Sequence, residues 1–234
     1  MAIIQDARRR EVKYRISMFS ALSAIHRMSA LLTADKHNSG SLGYMVRSLY
    51  FDSIYNDDLE QKEDGLEWRK KIRLRVYSPS DTTAKLELKE KDGDWQRKRS
   101  LSISKEQALM LINRDYSALL SLDNELAEEL YLTMTKELYL PRVMVQYDRA
   151  AFVVPANDTR ITFDMRLCAS EGCYDLFGDR LALYPIGYYD DTTLEVKYNH
   201  FLMSYVKDLL DNIEKTPVAY SKYVMARAIS HQPD

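Results

Sequence analysis

The stretch Lys71-Ile72-Arg73-Leu74-Arg75-Val76-Tyr77 alternates without a break between side chains of opposite character. Neighbouring side chains of a β-strand point to opposite faces. Ile72, Leu74 and Val76 therefore share one face, and Lys71, Arg73, Arg75 and Tyr77 share the other. Four further segments divide in the same way. Lys85, Glu87 and Lys89 lie opposite Leu86 and Leu88; Glu195 pairs on a face with Lys197; Arg160, Thr162 and Asp164 share a third; Glu11 and Lys13 share a fourth. For one strand alone, a charged face is the ordinary wet side of an antiparallel sheet. Five such strands in 234 residues point further, to a sheet closed into a barrel with its charged faces inward. Residues 62–105 hold 13 Lys/Arg against 8 Asp/Glu, a local excess of +5. Two like charges about 6 Å apart repel by about 3 kcal/mol at an effective dielectric near 20. Such a lumen is stable only with an anion, counter-charges or much water in it. A polyanion would satisfy the cations, and the few carboxylates suit a divalent metal.

The rest of the chain reads as one α+β domain over residues 1–234, without repeats or a linker-like tract. Strands are expected at 9–16, 44–51, 67–77, 84–91, 95–103, 142–154, 158–167 and 192–198. Asp92-Gly93 within KDGDW marks a hairpin, and Pro155 to Asp158 a turn. Helical spacing of Leu22, Ile25, Met28 or Ala30, and Leu32 predicts a helix over 20–34, followed by a loop from Asp35 to Gly43. A short acidic helix over 55–64 is closed by Gly65. Ser104 and Gln107 form a capping box that opens a helix over 105–113. Further helices are expected at 123–138, stopped by Pro141, and at about 199–213, broken at Thr216-Pro217. A last short one follows Ser221. Met110 and Met134 are expected in the core, and His26 at the surface.

Composition removes several classes. Lys+Arg 33 against Asp+Glu 35 leaves a net charge of -2, so nothing advertises a nucleic-acid binder. Any basic site must come from local clustering. Two cysteines, Cys168 and Cys173, and four scattered histidines do not make a zinc site. The thiols are expected to be reduced. No run approaches the ~18 apolar residues of a membrane span. The opening MAIIQDARRR does not read as a signal peptide, so a cytoplasmic location is expected. No GxxxxGK[ST] or GxGxxG is present, which removes a P-loop or kinase reading.

Nine segments occur in order: the KY of Glu11-Val12-Lys13-Tyr14, then SLYFDS (48–53), IRLRVY (72–77), LELKEK (86–91), DWQRKRSLSI (94–103), YDRAAF (147–152), RITFD (160–164), LEVKY (194–198) and YSKY (220–223). Together they resemble the VTC domain, the polyphosphate-polymerase module of the vacuolar transporter chaperone complex. That family belongs to the triphosphate tunnel metalloenzymes, related to CYTH-type triphosphatases. The resemblance spans about residues 8–228 and implies an eight-stranded antiparallel β tunnel barrel with flanking helices. It implies phosphate-binding roles for Lys13, Arg73, Arg75, Lys89, Arg99, Arg149, Arg160, Lys197 and Lys222. Arg73, Arg75 and Lys222 would act at the transferred phosphate. Glu195, with Glu87 as the next candidate, would hold Mn2+ or Mg2+. The superfamily signature ExExK reads Arg9-x-Glu11-x-Lys13 here, so its first glutamate is missing.

The implied activity is transfer of the γ-phosphate of ATP onto inorganic polyphosphate, with ATP and polyphosphate or triphosphate as partners. The alternatives are an inorganic or nucleoside triphosphatase of the same fold and a non-catalytic polyphosphate-binding module. No Ser, Cys or His nucleophile is called for, because phosphoryl transfer depends mainly on charge neutralisation and alignment. The eukaryotic complex carries an SPX sensor domain and membrane helices. Neither is found in this sequence, so a free-standing module of the kind bacteria carry is expected, with a separate membrane partner left open. Lys70, on the face opposite Arg73, is expected to be indifferent to activity.

Overall fold

The computed structural model describes residues 3–6, 10–38, 40, 42–93, 95–187 and 190–229. Arg9 of the altered signature and Asp94 of the hairpin lie outside them. Eight long strands build an antiparallel sheet. In chain order the elements are β1 (Ile3–Asp6), β2 (Arg10–Ser17), α1 (Met18–Leu31), β3 (Thr33–Ala34), β4 (Tyr44–Ser53), α2 (Asp57–Glu63), β5 (Arg69–Val76), β6 (Thr83–Asp92) and β7 (Trp95–Ser104). They continue with α3 (Lys105–Ile112), α4 (Glu125–Lys136), β8 (Tyr139–Val154), β9 (Thr159–Ser170), β10 (Tyr184–Pro185), β11 (Asp191–Tyr198), α5 (Ser204–Asp211), β12 (Thr216–Pro217) and α6 (Lys222–Arg227).

The sheet runs β1-β7-β6-β5-β4-β8-β9-β11-β2-β12. Its closure follows from the chain itself. β1 pairs with β7, Ile3 opposite Ser100 and Asp6 opposite Arg97, while β2 pairs with β11, Lys13 opposite Glu195. Two consecutive strands thus take up opposite ends of the sheet order and curl it into a tunnel, with β7 flanked by the four residues of β1 and β2 by the two of β12.

The alternation of β5 sets the packing. Ile72, Leu74 and Val76 are fully buried on the outside, with Leu49, Leu86, Leu101, Leu111, Leu130 and Met134, under α3 and α4. A second outer layer packs α1 and α5 (Met28, Val206, Leu210) on Phe152, Phe163 and Leu194. A third cluster lies on the inner face, where Tyr223 and Ala226 of α6 meet Tyr50, Val143, Val145 and Tyr147. α6 therefore fills part of the tunnel from within, tied down by the Tyr223 hydroxyl on Asp52 Oδ2 at 2.5 Å.

Several expectations are corrected. α1 begins at Met18 because Ser17 Oγ accepts from Ser20 N, and it buries Ala21, Ala24, Ile25 and Met28 while Leu22 stays exposed. Pro141 does not stop α4. That helix ends at Lys136, the turn is carried by Leu138 at φ 52, and β8 starts at Tyr139. Pro141 lies inside β8 at a register shift opposite Phe51, where a strand tolerates a missing N–H. α5 starts only at Ser204, because Asn157 holds the preceding segment through Phe201 O and Asn199 N. Thr216-Pro217 is a short pairing with Arg15 and Tyr14 of β2, besides ending the helical run. Met134 is fully buried, but Met110 is half exposed on α3. The capping boxes at Ser104 and the cap at Ser221 are present. Cys168 and Cys173 are free thiols. Among the described residues no helix is long and apolar enough to cross a membrane.

Candidate active site: the charged lumen

The inner faces enclose a cavity of about 630 Å³. Its charged side chains fall into three groups. In the first, β2 and β11 lie side by side, Glu195 opposite Lys13 and Lys197 opposite Glu11. Lys197 Nζ is 2.8 Å from Glu195 Oε1 and 3.5 Å from Glu11 Oε2; Lys13 Nζ is 3.0 Å from Glu11 and 3.7 Å from Glu195. Lys89 reaches Glu11 at 3.6 Å from β6. Burial and Glu195 push the Glu11 carboxyl up, but Lys197, Lys89 and Lys13 outweigh them and leave it at about 2. Burial also raises Glu195, and Lys197, Lys13, Lys222 and Arg149 overcome it, so it lies well below the usual carboxylate range.

In the second group Glu87 is the hub. Arg73 grips one of its oxygens through Nε at 2.7 Å and Nη2 at 2.6 Å, and Lys98 holds the other at 2.5 Å. Arg75 stands 3.9 Å away and donates to Ser48 Oγ. Tyr50 accepts from Arg73 at 2.9 Å. Burial opposes ionisation of Glu87, but Arg73, Arg75 and Lys98 hold it far below its ordinary value. In the third group Asp164 of β9 takes a bidentate fork from Arg149 of β8, at 2.6 and 2.7 Å, and Lys222 Nζ from α6 at 2.6 Å. Arg160 sits further out, on Asp35 at 2.8 Å and Tyr44 at 3.2 Å.

Lys13, Arg73, Arg75, Lys89, Arg149, Arg160, Lys197 and Lys222 thus line one cavity with Glu87 and Glu195. Arg99 does not. It stands opposite Leu88, whose side chain is in the outer core, and it ties β7 to α4 by an ion pair to Glu129 and to β6 by one to Glu90 at 2.9 Å. On β7 it is the neighbouring Lys98 that meets Glu87 in the lumen, and Arg97 also borders the cavity. In Arg97-Lys98-Arg99 every residue is basic, so the alternation that identified β5 is silent, and a one-residue slip exchanges the faces. The two oxygens of Glu87 face three cations, Arg73, Arg75 and Lys98. Among the described residues, no three Asp, Glu, His or Cys side chains gather as a metal cluster. The carboxylate that shares its lysines with Glu195 is Glu11.

Lys70 lies on the face of β5 opposite Arg73, at the border of the cavity, and is engaged in packing there. It is almost fully buried, 2.8 Å from Glu137 and over the Trp68 ring at 5.0 Å. Beside it lies the buried Asp58, whose carboxyl is pushed up to about 8 by burial and by Asp52. Sequence reasoning left out of the site Lys71, Lys98 and Asp164, all on lumen faces, and the Tyr50 and Tyr147 rings.

Comparison with known proteins agrees with this architecture. A solved Hippeastrum protein, described as revealing a dominant triphosphatase activity, superposes with TM-score 0.55 at 14% identity, covering 93% of this chain and 94% of that one. Two looser matches are a Bacillus halodurans protein described as a candidate adenylate cyclase (TM-score 0.49, 13% identity, 92% and 96% covered) and a Pyrococcus horikoshii protein (0.45, 10%, 95% and 97%). No curated protein sequence matches the chain. The fold is that of the triphosphate tunnel proteins. The family model of the VTC domain matches residues 8–231, almost the whole length, and the chain belongs to the VTC domain family.

Proposed function

We propose that this chain transfers the γ-phosphate of ATP to the end of an inorganic polyphosphate chain held in the tunnel. The observation that carries the reading is that the lumen carboxylates Glu11, Glu87, Asp164 and Glu195 are each ion-paired, which holds them as weak bases. Burial raises Asp164, but Arg149 and Lys222 bring it to about 2. Water must lose a proton to attack phosphorus, and a general base works best with a pKa near the operating pH. These carboxylates are poor candidates. A terminal phosphate oxygen is already anionic and needs no base. In the transfer that oxygen forms the new bond to the γ-phosphorus, the bond from the γ-phosphorus to the bridging oxygen breaks, and ADP leaves with the electron pair. Arg73, Arg75, Arg149 and Lys222 neutralise the phosphate oxygens and keep donor and acceptor in line. The missing first glutamate of the ExExK signature points the same way.

The donor set of a divalent ion fits Glu195 and Glu11, two carboxylates on adjacent strands bridged by the same two lysines. Mg2+ and Mn2+ suit one or two carboxylates completed by substrate phosphates and water. Such an ion would supply charge neutralisation at the phosphate oxygens.

A triphosphatase is the second reading, favoured by the likeness to the Hippeastrum protein. Incubation with ATP and Mn2+ or Mg2+ separates the readings. Long phosphate chains support the transferase, free phosphate alone the hydrolase, and neither product a binding module. Arg73→Lys is expected to lower the rate at least about tenfold, roughly 1.4 kcal/mol, because lysine keeps the charge but loses the fork that fixes the phosphate. Full activity in the variant would show that charge alone suffices.

A further inference from the structure

Lys71 differs from the ion-paired lysines of the lumen. Lys13, Lys89, Lys98, Lys197 and Lys222 each face a carboxylate within 4 Å. Among the described residues Lys71 has none at that distance. Its Nζ lies 2.7 Å from the Ser221 hydroxyl, which caps α6, and 5.7 Å from the centre of the Tyr223 ring. The charged groups that act on it most strongly are cationic: Lys89 on β6, Lys13 on β2, Lys62 on α2 and Arg73 on its own strand, with Glu11 held by Lys13 and Lys89 beyond them. The Tyr223 hydroxyl is engaged by Asp52 and brings no charge. Burial and those four cations draw the ammonium from its ordinary 10.5 down to about 7. A neutral amine is compatible with its contacts, since the Ser221 hydroxyl can donate to its lone pair.

We propose that Lys71 is a proton-linked anion ligand, an amine in the empty tunnel that takes up one proton when a chain of phosphates enters. This rests on the reading of the lumen as a site for phosphate chains and adds a role for one residue in it. A phosphate beside Lys71 sets a negative charge against those cations and restores the ammonium. The sign follows from linkage. The complex holds more protons than the free protein at pH values above the free-state pKa, so binding weakens as pH rises there, by up to tenfold per unit. In the empty protein the unfolded chain holds the extra proton between about pH 7 and 10.5, so Lys71 makes folding less favourable towards pH 7.

The test is calorimetric titration of the full chain with inorganic tripolyphosphate at pH 8, in Tris and in HEPES, whose ionisation enthalpies differ. Tripolyphosphate and the other titrating groups, including Lys98 and Asp58, contribute equally in wild type and variants, so the comparison isolates Lys71. Wild type is expected to take up close to one proton more than Lys71→Arg, whose guanidinium stays charged. Between pH 8 and 9 its affinity falls several-fold more steeply than that of the variant. Lys71→Met, which cannot take a proton, should lose the same uptake and bind more weakly than Lys71→Arg. Equal proton counts and equal pH slopes in wild type and Lys71→Arg would overturn the proposal while leaving the tunnel reading intact. No binding of tripolyphosphate to wild type would instead overturn the tunnel reading, and this proposal with it.

Discussion

Glu87→Gln lowers the melting temperature of the empty protein by roughly 6–12 °C, the counterpart of about 3 kcal/mol in a chain of this size. The carboxylate is almost fully buried and is the shared counter-charge of Arg73, Arg75 and Lys98. Glutamine keeps its shape but leaves three cations facing one another. The figure is at the low end for a broken buried pair because Lys98 and Arg73 retain some contact with water. Glu87 has a folded-state pKa below its ordinary value, so its stabilisation is present above about pH 4.5 and is lost only as pH falls. The difference between wild type and variant should therefore be full at pH 7 and shrink in acid. Tripolyphosphate should restore much of the loss, since ligand at a hundred times its Kd adds about 2.7 kcal/mol. Thermal unfolding with and without tripolyphosphate checks both halves. An unchanged melting temperature would mean that water already neutralises this cluster.

Glu195→Gln is expected to reduce phosphoryl transfer by about a hundredfold or more while tripolyphosphate still binds within a few-fold of wild type. Its carboxylate lies against Lys197, and with Glu11 it offers the pair of oxygens a divalent ion needs. Removing one negative charge does not weaken anion binding, so a loss confined to turnover separates a metal role from a structural one. Rates in Mn2+ and in Mg2+, with calorimetric binding of tripolyphosphate beside them, make the measurement. A variant that keeps most of its activity would reduce Glu195 to a counter-charge for Lys13 and Lys197. Glu11→Gln should then tell whether the second carboxylate matters more.

Much of this arrangement can be read locally. Strict alternation in β5 assigns Ile72, Leu74 and Val76 to the outside and Arg73 and Arg75 to the lumen, because a period of two leaves no other choice when polar and apolar residues take turns. The same logic holds for Glu87, Lys89, Glu195 and Lys197, and the ordered segments resembling the VTC domain identify the tunnel fold. Where the alternation lapses, so does the assignment. Arg97-Lys98-Arg99 is basic throughout, and only the pairing of Arg99 opposite Leu88 turned it towards α4 and left Lys98 in the lumen. The ends of α4 and α5 depend on Leu138 in a left-handed conformation and on Asn157 reaching a distant loop.

Partnership is the part that no local pattern holds. Asp164 receives Arg149 from the neighbouring strand and Lys222 from a helix 58 positions away in the chain, and Lys71 meets Ser221 from 150 positions away. Where polar and apolar residues take turns, as in β5, β6 and β11, alternation by itself determined which side chains enter the tunnel. Tertiary structure decided which cations received a carboxylate and which, like Lys71, did not, because that depends on strands and a helix far apart in sequence arriving at the same depth of the barrel.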